Sequence, residues 1–158
     1  MTKATIQSVR QTETAGLFTI VFEGEYLSEF AKFVDKFKSD AKRQDDLRII
    51  LNQIDLMMRS GFAERRFRTE GKMRDNLVAL PVYKSKLRLY CLRMSDSVLI
   101  VGNGGEKDTK TYQESTDLNG YVISLQKLDA LLQADIREGI VHIEKTEILG
   151  TDDKEYDL

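Results

Sequence analysis

The sequence predicts a single α+β domain built around an antiparallel sheet. At 158 residues the chain has the length of one domain, and no linker, internal repeat or low-complexity tract divides it. Segments with helical periodicity alternate with short runs rich in β-branched and aromatic residues. Links of three or four residues between three of these runs favour an antiparallel meander. We therefore expect one domain over residues 1–150 and a mobile acidic tail over residues 151–158.

The N-terminal half predicts two strands followed by two helices. Alternating side chains over residues 4–9 and 17–22 indicate the strands. Ser28 is placed to cap a first helix, because its hydroxyl can accept a hydrogen bond from a backbone N–H of the first turn. The spacing of the apolar residues over 47–58 predicts a second helix, which Gly61 would end. Together these helices form the predicted N-terminal helical hairpin.

The C-terminal half predicts a three-stranded meander followed by a long helix. The β-rich runs of the meander cover residues 77–82, 87–94 and 98–101. An apolar stripe over residues 117–138 predicts an additional amphipathic helix, which can cover a cleft, bind a partner or complete the core. A last strand is expected within residues 141–148.

Composition limits the class of function. The chain has 24 basic and 26 acidic residues, so an anion site must be a local patch and not a positive field over the whole surface. Cys91 and His142 are the only cysteine and histidine, which leaves too few soft ligands for a zinc site, and we expect no cofactor and no metal. With no signal sequence and no apolar run near the ~20 residues that span a bilayer, we expect a cytoplasmic protein without membrane contact.

Positive charge is concentrated between residues 59 and 74, which contain six basic and two acidic side chains. Arginine can donate two parallel hydrogen bonds to phosphate oxygens and keeps its charge at any useful pH. The segment is therefore a candidate for contact with phosphate groups, with a solvated charged surface as the alternative.

Arg88 is the candidate residue on the second strand of the meander. Alternation places Arg88 on one face of that strand with Tyr90 and Leu92. An arginine among apolar neighbours is costly to desolvate unless it meets an anion or an acid. A salt bridge to a helix carboxylate, such as Asp46 or Asp55, is an alternative to a role in substrate binding.

A glycine-rich run at residues 102–105 follows the third strand of the meander. Glycines let backbone N–H groups approach an anion, but a Walker loop requires Lys followed by Ser or Thr, and here Lys107 is followed by Asp108. We therefore expect a strand exit with unusual backbone angles. The residues Lys107, Lys110 and Tyr112 would then lie beside the rim of the sheet.

Residues 87–93 (LRLYCLR), residues 98–107 (VLIVGNGGEK) and Tyr112 carry a family resemblance that covers about residues 26–112. In these stretches, and in the order of a strand, two helices and a meander, the chain is similar to the RelE/ParE toxin superfamily. That superfamily includes the RelE- and HigB-like mRNA interferases. The resemblance implies a RelE-like α+β fold with an antiparallel sheet.

The resemblance also implies a toxin-like, metal-independent endoribonuclease that cleaves mRNA on the ribosome as part of a toxin–antitoxin pair. Arg88 and Lys107 would stabilise the phosphate, and Tyr112 would stack on a base or assist proton transfer. The implied partners are mRNA, the ribosome and an antitoxin-like protein. The alternatives are a catalytically inactive protein-binding module of the same fold and a ParE-type toxin directed at gyrase. The residues implied in RNA binding are Arg65, Arg66, Arg68, Lys72, Arg74 and Lys110.

Overall fold

A computed structural model of the protein describes residues 2–69, 75–108 and 115–158. Within these residues the chain forms three α-helices, a mixed sheet of seven strands and a separate two-stranded hairpin. The predicted α+β class is confirmed. No helix in the described part of the chain is long and apolar enough to cross a membrane.

The elements follow one another in this order. Strands β1 (Lys3–Gln11) and β2 (Gly16–Phe22) precede helices α1 (Glu29–Phe37) and α2 (Gln44–Ser60), and a short 3-10 turn covers Glu64–Arg66. The central strands are β3 (Arg68–Thr69), β4 (Leu77–Pro81), β5 (Leu87–Arg93) and β6 (Val98–Glu106). Helix α3 (Thr116–Arg137) is followed by β7 (His142–Glu144), β8 (Glu147–Leu149) and β9 (Tyr156–Asp157).

The large sheet is mixed, and not antiparallel throughout as the sequence predicted. Its strand order is β3-β4-β5-β6-β2-β1-β9, and only β2 and β6 are parallel among the pairs described. The Thr19 hydroxyl in β2 donates to the Val101 carbonyl of β6 at 2.7 Å, across a sequence separation of 82 residues. No local turn connects these two strands, so the turn signals that predicted the meander could not predict their pairing.

Helices cover both faces of the sheet. Helices α1 and α2 pack on one face and α3 packs on the other, and the strand β5 contributes to both layers by alternation. Its residues Leu89 and Cys91 face α1 and α2, whereas Tyr90 and Leu92 face α3. The α3 stripe is buried at Leu118, Val122, Leu125, Leu128 and Leu132. Of the three roles considered for this helix, completion of the core is the one that the packing shows.

The helix ends follow the predicted capping residues. The Ser28 hydroxyl accepts from the Ala31 N–H at 3.1 Å at the start of α1. Helix α2 ends at Gly61, whose φ of 95° lies in the left-handed region that glycine adopts without a Cβ clash. These local interactions fix where each helix begins and ends.

The C-terminal segment differs from its prediction. Residues 151–158 do not form a free tail, because β9 pairs with β1 and the side chains of Tyr156 and Leu158 are buried in the layer under α3. Because residues 151–158 are rich in acidic side chains, their sequence did not indicate that these two apolar side chains are buried. The single strand expected within residues 141–148 is instead the β7–β8 hairpin, which turns at Lys145.

Candidate nucleic-acid interface

A solvent-facing hollow of about 540 Å³ lies where β4 turns into β5. Its walls come from α2, the 3-10 turn, β3 and the β4–β5 connection. Four of the described lining residues are cationic and none is acidic. The lining consists of Gln53, Arg66, Arg68, Pro81, Val82, Tyr83, Lys84, Ser85 and Arg88.

Arg88 is half-buried in β5 and reaches the hollow along the start of that strand. One guanidinium nitrogen, Nη1, donates to the carbonyl oxygens of Ser85 at 2.7 Å and Leu87 at 2.9 Å. These hydrogen bonds hold the guanidinium against the β4–β5 connection. They orient the guanidinium group within the lining of the hollow.

The two carboxylates considered as alternative partners of Arg88 bind other groups. The Asp55 carboxylate accepts from Arg10 at 2.6 Å, and the Asp46 carboxylate accepts from the Ser85 hydroxyl at 2.6 Å. Both acids are therefore engaged by other donors, and Asp46 helps to shape the wall of the hollow through Ser85.

A tight turn forms the rim of the hollow between β4 and β5. The Ser85 N–H donates to the Val82 carbonyl at 3.0 Å, and Lys84 has a φ of 60°, in the left-handed region. The Ser85 hydroxyl also accepts from the Leu87 N–H at 3.1 Å. With its bond to Asp46, this hydroxyl links the turn to helix α2.

Arg43 connects the same turn to the end of β6. Its Nε donates to Glu106 at 2.9 Å and its Nη1 donates to Asp46 at 3.1 Å, while only 8% of the residue is exposed. The hydrogen bond to Glu106 and the further bond to Asp46 raise the pKa of Arg43 despite its burial. Arg43 is therefore a charged structural link between α2 and β6, and neither of its carboxylate partners is among the described lining residues of the hollow.

Arg66 and Arg68 reach the hollow from the segment between α2 and the sheet. The 3-10 turn is closed by a hydrogen bond from the Arg66 N–H to the Ala63 carbonyl at 3.0 Å, and Arg68 pairs with Ala79 in β4. Phe62 is fully buried and anchors this segment to the core. Within the described ranges, no carboxylate forms an ion pair with Arg66, Arg68 or Lys84.

The glycine-rich run belongs to β6 and has extended backbone angles, so the prediction of a strand exit with unusual angles was wrong. A Cβ added at Gly104 would lie 2.0 Å from the Arg88 carbonyl oxygen, and one added at Gly102 would lie 3.0 Å from Leu125 of α3. Residues 102–105 are glycine-rich because β5 and α3 approach the β6 backbone closely. Gly104 thereby helps to position the strand that carries Arg88.

The structure brings only some of the predicted site residues together. Arg66, Arg68 and Arg88 line the hollow, whereas Arg65 is exposed outside its lining. Lys107 lies at the end of β6, where its N–H donates to the Lys86 carbonyl at 2.7 Å, and it is not part of the lining. Four predicted residues fall outside the described residues, namely Lys72, Arg74, Lys110 and Tyr112.

Tyr83 and Lys84 were not predicted as site residues, because they lie in a short link between two predicted strands. The Tyr83 side chain is 87% exposed, and the Lys84 ammonium lies 5.5 Å from the centre of the Tyr83 ring. An aromatic and a basic residue in a short turn, five positions or fewer from Arg88, was the signal that could have identified them.

Neither Cys91 nor His142 is among the described lining residues of the hollow. Cys91 is fully buried in the layer under α1 and α2, and burial raises the pKa of its thiol well above its ordinary value. His142 is exposed on the separate β7–β8 hairpin. Among residues 2–69, 75–108 and 115–158, no group of three or more His, Cys, Asp or Glu side chains is arranged to hold a metal ion.

Comparisons with protein-family models, with curated proteins and with solved structures found no match to the chain.

Proposed function

We propose that the protein is a metal-independent endoribonuclease that cleaves mRNA on the ribosome, acting as the toxin of a toxin–antitoxin pair. The observation that carries the proposal is the basic hollow, in which Arg66, Arg68, Lys84 and Arg88 converge without an acidic residue in the described lining. A phosphodiester is the ligand that such a site favours, because guanidinium groups bind phosphate oxygens through paired, charge-assisted hydrogen bonds.

The proposed reaction uses the RNA's own 2′-hydroxyl as the nucleophile. Its oxygen forms a bond to the adjacent phosphorus, the bond to the 5′-oxygen breaks, and the products end in a 2′,3′-cyclic phosphate and a 5′-hydroxyl. One proton leaves the 2′-hydroxyl and another is delivered to the departing 5′-oxygen. Arg88 would stabilise the negative charge that builds on the phosphorane, which is the largest single contribution expected of such a site.

Lys107 and Tyr112 complete the proposed catalytic set. Lys107 lies at the end of β6, across from Lys86 and next to the strand that carries Arg88, so it would supply a second positive charge to the phosphate. Tyr112 would stack on a base or assist proton transfer. An antitoxin-like protein would inhibit the enzyme by binding over this surface.

The order of elements supports the same proposal. The chain contains a strand (β2), two consecutive helices (α1 and α2) and a three-stranded meander (β4 to β6), the order on which the resemblance to the RelE/ParE superfamily rests. We propose that α1 and α2 form the helical hairpin of a RelE-like arrangement. In this proposal β1, β9 and α3 are additions to the shared core.

The test is cleavage of single-stranded RNA, alone and on programmed ribosomes, in the presence of a metal chelator. We expect fragments with cyclic phosphate ends, and a loss of roughly 100- to 1,000-fold in rate for Arg88→Ala. Arg48→Ala is the matched control, since Arg48 is an exposed arginine on α2 outside the hollow. The nuclease proposal fails if RNA stays intact with ribosomes present, or if Arg88→Ala cleaves at the wild-type rate.

A further inference from the structure

Tyr83 is a large aromatic residue that the fold does not use for packing. Its side chain is 87% exposed, although it stands on the wall of the basic hollow. Aromatic rings are normally buried because their apolar area is costly to leave in water. Exposed aromatic rings beside cationic grooves are the surfaces on which unpaired nucleobases stack.

The ring is presented by a rigid turn and not by a free loop. Ser85 ties this turn to Asp46 of α2 at 2.6 Å, and the left-handed φ of Lys84 redirects the chain directly after Tyr83. The Lys84 ammonium lies over the ring, 5.5 Å from its centre, and contributes a cation–π contact. Because so much of the side chain is exposed, the opposite face of the ring remains accessible to a base.

The neighbours of Tyr83 supply the second half of a nucleotide site. Arg66, Arg68 and Arg88 line the same hollow and offer positive charge to a phosphate, whereas Tyr83 offers a flat apolar surface. A base in a double helix is already stacked on both faces and cannot use that surface without leaving the helix. An unpaired base attached to a phosphate matches both parts of the hollow.

We infer that Tyr83 stacks on an unpaired nucleobase next to the phosphate held in the basic hollow, so that the substrate is single-stranded RNA. This inference rests on the proposed function, which supplies the RNA. Tyr83 thus acts in substrate selection, separately from the charge stabilisation assigned to Arg88. Stacking tolerates every base, so the expected discrimination is between paired and unpaired RNA, with little preference among bases.

The experiment measures binding by fluorescence anisotropy with two labelled oligomers that carry 2′-O-methyl groups and therefore cannot be cleaved. One is a single strand with all its bases, and the other has the same backbone with abasic positions. For Tyr83→Ala we expect affinity for the first oligomer to fall about 5- to 150-fold, and affinity for the second to stay unchanged. Tyr83→Trp should retain binding. Tyr26→Ala is the matched control, because Tyr26 is 99% exposed and lies outside the hollow.

The outcomes distinguish a failure of the stacking inference from a failure of the proposed function. If Tyr83→Ala binds the first oligomer as the wild type does while Arg88→Ala has lost binding, stacking is refuted and the phosphate site stands. An equal loss on both oligomers refutes stacking too, since it assigns Tyr83 to the backbone or to the shape of the turn. If the wild type binds neither oligomer and cleaves no RNA, the proposed function fails and the inference fails with it.

Discussion

Replacing Gly104 by alanine tests how closely β5 and β6 approach at the hollow. The new Cβ would lie 2.0 Å from the Arg88 carbonyl oxygen, whereas real Cβ atoms essentially never come closer than 3.0 Å to a neighbour. One strand must therefore move by about 1 Å, and the obstructing atom belongs to the backbone, which cannot rotate away. Overpacking of this kind costs about 1–3 kcal/mol of unfolding free energy.

Gly120 provides a control with the opposite expected sign. It lies inside α3, and a Cβ added there meets nothing within 4 Å. Gly120→Ala should therefore stabilise the protein by about 0.5–1 kcal/mol, because alanine loses less backbone entropy in a helix than glycine does. The comparison of the two variants cancels any general effect of adding one methyl group to the chain.

Urea unfolding monitored by far-ultraviolet circular dichroism measures both changes, and thermal unfolding offers a second readout. For a domain of this size, a loss of 1–3 kcal/mol corresponds to a melting temperature lower by about 2 to 12 °C. The reasoning is refuted if Gly104→Ala is as stable as the wild type, or if both alanine variants shift in the same direction.

Two further substitutions test side-chain hydrogen bonds that connect distant segments of the fold. Arg43→Ala should lower the unfolding free energy by about 1–3 kcal/mol, because Glu106 and Asp46 lose a charged hydrogen-bond donor. The control is Arg48→Ala, which removes an exposed ion pair with Asp45. The prediction is contradicted if urea unfolding shows no larger loss for Arg43→Ala than for Arg48→Ala. Burial and the hydrogen bond to Asp135 raise the pKa of the Tyr156 phenol in the folded state. Below the unfolded pKa of about 10, the neutral phenol therefore contributes its full stabilisation of the fold, and this contribution is lost as the pH rises through the raised pKa. Urea midpoints should therefore fall more steeply above pH 10 for the wild type than for Tyr156→Phe, and parallel pH profiles would exclude the effect.

The helices could be predicted from the sequence because their signals are local. The apolar spacing within α2 and α3 repeats every three or four residues, and Ser28 and Gly61 mark ends that depend on hydrogen bonds within one turn. The meander could be predicted equally well, because the links between its strands are short. Arg88 could be identified because it is a charged residue with apolar neighbours in a predicted strand.

The remaining features depend on contacts between distant segments. The close approach that requires Gly104 comes from β5, and the burial of Tyr156 comes from β1 and α3. The short link predicts that β5 and β6 pair, but the residues beside Gly104 do not show how closely the two backbones approach, and the residues beside Tyr156 do not indicate its contacts with β1 and α3. Tyr83 had a local signal, since it lies with Lys84 in a short turn near Arg88, but the wall that it shares with Arg66 and Arg68 depends on the fold.

The pairing of β2 with β6 has a consequence for synthesis on the ribosome. The two strands meet across 82 residues, so β2 has no partner on that side until β6 has been translated. At about 5–20 residues per second, this delay is about 4–16 s. During that time the apolar side chains of Leu17 and Phe18 have only one neighbouring strand to shield them. The nascent chain is thus exposed to aggregation and to chaperone capture, and slowing translation between the two strands should lengthen that exposure.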